Sequence, residues 1–287
     1  MAIEMNNYKN IIEIDIWSSF GCFTKPFSNT GGLLTYLIPP KTSIIGMIAA
    51  ILGYEFDDYE ELEDKTRKYK IEELYDIKVS IQALFDLKIK RVTFNSHYGN
   101  EPHMLNVHED VLINPFYKVY LSFPSELKDK EKIFLERVMA NETVYNLYMG
   151  RNEFFMNYEF KNYFEGLKPY VLDNSNENDF FEDKKDQKVY GTLDKTKINN
   201  VKLFSKITET TIFGTLKQDI KKLASYYEYI IRDYPVKRYN FVNFNYIPVS
   251  FYSMHQNDTA YFSKLSLNEN EKFELYEIGE NEWISLI

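Results

Sequence analysis

The stretch that decides the fold is Ile11–Gly53, IIEIDIWSSFGCFTKPFSNTGGLLTYLIPPKTSIIGMIAAILG. Ile11–Ile16 alternates and then runs into Trp17 and Phe20, the period-two pattern of a half-buried strand. Gly21, Pro26, Asn29, Gly31 and Gly32 punctuate a loop that Pro39–Pro40 ends. Thr42 or Ser43 can cap a helix over Ser43–Leu52, closed by Gly53. Its Ile44, Ile45, Met47, Ile48, Ile51 and Leu52 make it apolar nearly all round, while Gly46, Ala49 and Ala50 let a neighbour approach closely. Such a helix must be buried, most simply against a sheet. Strand, loop and buried helix in this order predict an α+β fold that opens with a ferredoxin-like unit.

Working outward, Glu55–Asp64 carries seven acids and no Lys or Arg, so it faces either solvent or a basic partner. Tyr75–Phe85 and Leu87–Phe94 read as two strands joined tightly enough for a hairpin. Ser96–Asp110 reads as an irregular loop bearing histidines, and Leu112–Phe123 resumes strand character. An amphipathic helix over Glu131–Met139 precedes a turn into the aromatic run Met149–Phe160. The expected division is a domain over 1–172, an acidic loop over 173–189, and a smaller β-rich region over 190–287. Strands expected in that last region are Val201–Ile207, Thr210–Leu216, Phe241–Val249, Ala260–Leu267 and Phe273–Ile278.

The chain has 287 residues, 44% of them hydrophobic, enough for a substantial core. A net charge of −9 argues against a protein that grips nucleic acid unaided, yet leaves room for one local basic face within an assembly. The 24 Tyr and 22 Phe reflect either rings held near the surface or an AT-biased coding sequence. Cys22 is the only cysteine, which excludes an intrachain disulfide and a cysteine-based zinc cluster. Met1–Tyr8 does not resemble a signal peptide, and no apolar run reaches the ~18 residues of a membrane span, so a cytoplasmic protein is expected.

No acid occurs between Trp17 and Tyr54, where Lys25 and Lys41 flank a glycine-bearing loop among Phe20, Phe23, Phe27 and Tyr36. This basic and aromatic mixture suits base stacking and phosphate contact, and equally an ordinary packed loop. Lys88, Lys90 and Arg91 form a second basic run. Lys237-Arg238, beside Tyr234, Tyr239 and Phe241, forms a third, either an extension of such a surface or a solvated strand edge. His97, His103 and His108 crowd together near Glu109 and Asp110, without the spacing of a zinc-protease motif.

Three ordered segments carry a resemblance. The first is Trp17–Lys25 with Phe27, leading through Thr30-Gly31-Gly32 and Pro39-Pro40 into the Gly46–Gly53 helix segment. The others are Ile113-Asn114-Pro115 with Tyr117–Tyr120, and Tyr148-Met149-Gly150-Arg151-Asn152-Glu153-Phe154. Together they resemble the CRISPR-associated RAMP proteins of family five. The resemblance implies a ferredoxin-like RAMP domain with a thumb insertion, here Lys78–Val111, and a variable β-rich second part. It also implies a non-catalytic subunit of a type I interference complex, with subtype I-B favoured, that holds the 5′ handle of the CRISPR RNA. Implied partners are the repeating backbone subunit, the large subunit and target DNA near the complex, with no cofactor, no metal and no membrane. The expected RNA-binding residues are Lys25, Phe27, Asn29, Thr30, Gly31, Gly32, Lys41, Lys88, Lys90, Arg91, His97, Arg151, Lys237 and Arg238. Arg151 offers a bidentate fork to phosphate or to a carboxylate, with Glu153 as a local partner. The alternatives are a metal-independent endoribonuclease acting on precursor CRISPR RNA and a scaffold that binds only protein.

Overall fold

The alternation of the opening segment is realised in strand β1 (Lys9–Trp17), which turns Ile12, Ile14 and Ile16 to one side and Ile11, Glu13 and Asp15 to the other. The computed structural model describes residues 8–28, 32–55, 57–63, 67–84, 87–97, 104–177, 180–181, 187–210, 217–223, 228–239, 243–252 and 260–287. Helix α1 (Lys41–Leu52) begins two residues before the predicted start, with Pro40 as its N-cap, and Gly53 closes it at a left-handed φ of 80°. Neither Thr42 nor Ser43 supplies the expected cap, because Pro40, with its φ preset, already opens the first turn.

β2 (Lys78–Ala83), β3 (Lys88–His97), β4 (Met104–Ile113), β5 (Phe116–Ser122), α2 (Lys128–Ala140) and β6 (Asn157–Leu167) follow. The order β6-β1-β5-β2 makes a four-stranded antiparallel sheet. Its register lines up Ile12, Leu121 and Val79, then Ile14, Val119 and Ile81, then Ile16, Tyr117 and Ala83. These nine residues are buried in one core with Ile44, Ile45, Ile48 and Ile51 of α1 and Phe134 and Val138 of α2. The mixed α+β class expected from the sequence is thus present, built on antiparallel sheets.

The hairpin expected between Tyr75–Phe85 and Leu87–Phe94 does not form. β2 pairs with β5 in the main sheet, and β3 pairs instead with β4 from Lys88↔Ile113 to His97↔Met104. The physical reason is burial: Ser80 and Gln82 are enclosed as fully as Val79 and Ile81, whereas Lys88, Lys90 and Arg91 need solvent. Part of the expected histidine loop, from Met104 onward, is therefore strand. The span Lys78–Val111 divides between a sheet strand and the β3–β4 hairpin.

Late in the chain, β7 (Glu228–Tyr239) and β8 (Asn243–Tyr252) form a long antiparallel hairpin. β7 packs on α1, and Ile231, Tyr234, Val249 and Phe251 join the core that α1 occupies. Tyrosine hydroxyls tie these distant pieces together. Tyr36 donates to the Asp233 carbonyl at 2.7 Å, Tyr234 to the Pro39 carbonyl at 2.9 Å, and Tyr117 to the Leu37 carbonyl at 2.7 Å. The expected strands Val201–Ile207, Phe241–Val249, Ala260–Leu267 and Phe273–Ile278 fall within or against observed strands Ile198–Thr210, Asn243–Tyr252, Ala260–Leu267 and Phe273–Gly279. Most of Thr210–Leu216 lies outside the described residues.

The second face of the main sheet is also covered. Ile11 and Tyr120 meet Tyr276 and Ile284 there. Gln82 Oε1 accepts from the Gly191 amide at 2.8 Å and Ser80 Oγ from the Thr192 amide at 3.2 Å. Lys118 pairs with Glu13 and lies 3.4 Å from Asp15, which Lys161 approaches at 3.5 Å.

Candidate nucleic-acid interface

β4 is the strand on which the predicted loops converge. Phe20–Gly21 pairs with Ile113 and Leu112 at its end. Further along, the Leu33 amide donates to the His108 carbonyl at 2.7 Å, and the Asp110 amide donates to the Leu33 carbonyl at 2.9 Å. Glu109 stands between these bonds with its side chain enclosed, accepting from Cys22 Sγ at 3.3 Å and pairing with Arg151 Nη1. Burial pulls the Arg151 guanidinium pKa down, but the bond and charge of Glu109 outweigh it and leave a net rise. Burial is also the main cause that pushes the Cys22 thiol up to about 11, so it stays protonated and inert.

Gly150 makes this packing possible. Its φ is 88°, and a Cβ there would lie 2.1 Å from the Cys22 carbonyl oxygen. Only a residue without a side chain lets the Met149–Phe155 turn lie flat against the Cys22 backbone, whose amide donates to the Met149 carbonyl at 3.0 Å. Glu153 is an outer partner of Arg151 at 3.6 Å. Glu109 is the nearer one and was missed by sequence reading. Its signal lay in the alternation Val107, Glu109, Val111, which places a carboxylate on an apolar face.

The loop after β1 is folded back on itself. The Lys25 amide donates to the Leu34 carbonyl at 2.8 Å, and Ser28 Oγ links the Lys25 carbonyl at 2.8 Å to the Leu34 amide at 3.1 Å. The Lys25 ammonium lies 5.1 Å from the Tyr36 ring centre and 5.8 Å from that of Phe27, itself 58% exposed. Gly32 runs beside the His108 carbonyl, while Asn29, Thr30 and Gly31 lie outside the described residues.

On the hairpin, Lys88, Ile89 and Lys90 are exposed on β3, an edge strand of its sheet. Arg91 is clamped to Asp110 on β4 through two bonds of 2.8 and 3.3 Å. His108 Nδ1 sits 2.8 Å from Thr93 Oγ1. His97 ends β3 opposite Met104, and His103 and His255 lie outside the described residues. Among the described residues no three His, Cys, Asp or Glu side chains gather as metal ligands.

Lys41 opens α1, and Lys237 and Arg238 lie on β7. Lys41 is enclosed, with Nζ donating to the Ile287 carbonyl at 3.2 Å. Burial first, then the nearby charges of Lys237 and Lys78, bring its pKa down to about 8. Lys237 pairs with Asp76 at 3.0 Å. The Arg238 guanidinium stacks 5.4 Å over Phe244, and burial lowers its pKa.

A family described as "CRISPR-associated protein (Cas_Cas5)" matches residues 11–156, half of the chain, so the chain belongs to this CRISPR-associated family. No curated protein matches it. Among solved structures, a CRISPR protein from Archaeoglobus fulgidus is 12% identical over 96% of this chain and 98% of its own, with a TM-score of 0.44. A chain of a CRISPR RNA-guided surveillance complex is 12% identical over 91% and 95%, with a TM-score of 0.42. A functionally uncharacterized protein from Streptococcus mutans is 14% identical over 54% and 70%, with a TM-score of 0.33. No helix among the described residues is long and apolar enough to cross a membrane.

Proposed function

We propose that the protein is a non-catalytic subunit of a type I CRISPR interference complex that binds the 5′ handle of the CRISPR RNA and seats the backbone and large subunits near target DNA. The observation that carries this reading is the hairpin edge. Lys88 and Lys90 stand in solvent there without an ion pair among the described residues, in a family member whose net charge is −9. Two free cations on an extended edge suit phosphate contact, while exposed Ile89 between them suits a base or a neighbouring subunit. Lys25 and Phe27, on a loop hydrogen-bonded to the other side of β4, add a cation and an exposed ring for stacking.

Arg151 enters this reading as the residue that fixes the hairpin root through Glu109, and Arg91 as the one that braces its two strands. The ferredoxin-like assignment belongs to the same reading. It is supported by the β-α-β-β-α-β order with the fourth strand beside the first, then the third, then the second. The covered second face of that sheet favours RNA contact at the hairpin and loop over a sheet platform.

Reconstitution with guide RNA and photocrosslinking tests the proposal. The wild-type subunit should crosslink at the 5′ end, and Lys88→Glu with Lys90→Glu should weaken RNA binding about tenfold or more and flatten its salt dependence. Absence from the 5′ end would sink the idea. Cleavage of precursor RNA without divalent metal would replace it with the endoribonuclease reading.

A further inference from the structure

Beside the hairpin root, a cleft of about 500 Å³ runs along the outer stripe of α1. That size lies within the range of small-ligand sites, roughly 300–1,000 Å³. Its walls are unusually aromatic: Tyr36, Tyr69, Tyr75, Tyr145 and Phe244 all border it. Arg238, half-buried and stacked on Phe244, supplies a cation from β7. Lys25 holds its ammonium against the Tyr36 ring, 5.1 Å from its centre.

The floor is as telling as the walls. Ser43, Gly46, Ala49 and Ala50 line it, and a Cβ built on Gly46 would meet nothing within 4 Å. The small residues that the sequence suggests for close approach of a neighbour therefore have open space above Gly46. The bordering acids do not make the cleft a cation site. Asp58 is paired with Lys70 at 2.9 Å, Glu72 accepts from the Tyr69 amide at 3.1 Å, and Glu55 is exposed to solvent.

We propose that this cleft receives one unpaired nucleotide of a single-stranded RNA, turned out of the strand, with its base against the aromatic walls and its phosphate charge met by Arg238. Flat apolar walls with hydroxyl-bearing edges match a nucleobase, and a guanidinium on a ring matches the attached phosphate. Thr24, Pro26 and Gly150 also line the cleft, so it opens beside the loop and turn that meet at the hairpin root. One strand can then cross the hairpin edge and place a single base here. The inference rests on the RNA-binding reading above and adds where one base goes.

Gly46→Leu tests it, because the new side chain would project into open space from a helical position and favours the helix over glycine. The probe is single-stranded guide RNA carrying 2-aminopurine at one position at a time, bound to the reconstituted complex. One position should show a fluorescence change with wild type. Gly46→Leu should abolish that change and weaken binding by about 5- to 150-fold, the range for losing one stacked base, with thermal stability unchanged or raised. Unaltered affinity and fluorescence in Gly46→Leu would overturn the cleft assignment and leave hairpin binding standing. Failure of wild type to bind RNA would overturn both. Weaker subunit assembly by Gly46→Leu in the absence of RNA would assign the cleft to a protein side chain and overturn the proposal.

Discussion

Lys88 and Lys90 sit on the hairpin edge in water, whereas Arg151 at the hairpin root and Lys41 beneath β7 are drawn into the protein. All four are cations that a sequence reading can assign to one RNA surface. Their environments give them different work. A solvated ammonium on an edge strand costs the fold almost nothing and stays available for a phosphate. An enclosed one must be compensated where it sits, as Arg151 is by Glu109, or carry a penalty, as Lys41 does with a carbonyl as its partner. Availability to a ligand follows burial and pairing, not residue type.

The sharpest way to break this contrast is Arg151→Met, which leaves the enclosed Glu109 carboxylate without its charge partner. A loss of about 3–5 kcal/mol is expected in urea unfolding. Adding Glu109→Ala should return much of it, and simple additivity of the two losses would contradict the pairing. Next comes Lys41→Met. The folded pKa of about 8 lies below the 10.5 of an ordinary lysine, so the unfolded state holds more protons between those values. Stability from this group therefore rises as pH climbs from about 8 toward 10, and its penalty is fully present below about 8. At pH 7 Lys41→Met should gain up to about 3 kcal/mol and flatten that alkaline slope relative to wild type. A variant less stable than wild type at pH 7 would show the ammonium to be a structural tie.

At the small end, Lys88→Ala with Lys90→Ala should move unfolding free energy by only about 0.5 kcal/mol. The same pair should weaken RNA binding and lower the steepness of its salt dependence. A large stability loss would mean that these side chains brace the hairpin, and would erase the distinction between edge and root.

What was legible in the sequence was local. Ile12, Ile14 and Ile16 announce their shared face through period two, and Ile44–Leu52 announces a buried helix, because both signals lie within a dozen residues. Exposure of Lys88 and Lys90 followed from their charge. Pairing was not legible: β2 and β3 are neighbours in sequence, yet β2 joins β5, because its second face is covered by Gly191 and Thr192 from far along the chain. The burial of Lys41 was hidden for the same reason, since its carbonyl partner belongs to Ile287. β7 escaped notice because Pro235 interrupts its pattern. The structure absorbs that proline where the β7–β8 register shifts between Pro235 and Lys237. That the Glu109 carboxylate meets Arg151, 42 positions downstream, was equally out of reach.

The hydroxyl ties of Tyr36 and Tyr234 to β7 and to the segment before α1 span 197 and 195 positions. They have a consequence for how the chain is made. A ribosome that has released α1 has not yet synthesised the strand that covers it, so the nascent helix must wait through most of translation. Loop closure over that distance is slow, and the waiting surface is adhesive. Newly made chains should therefore depend on holding chaperones until Tyr239 emerges, and a chain truncated before Glu228 should be recovered in the insoluble fraction.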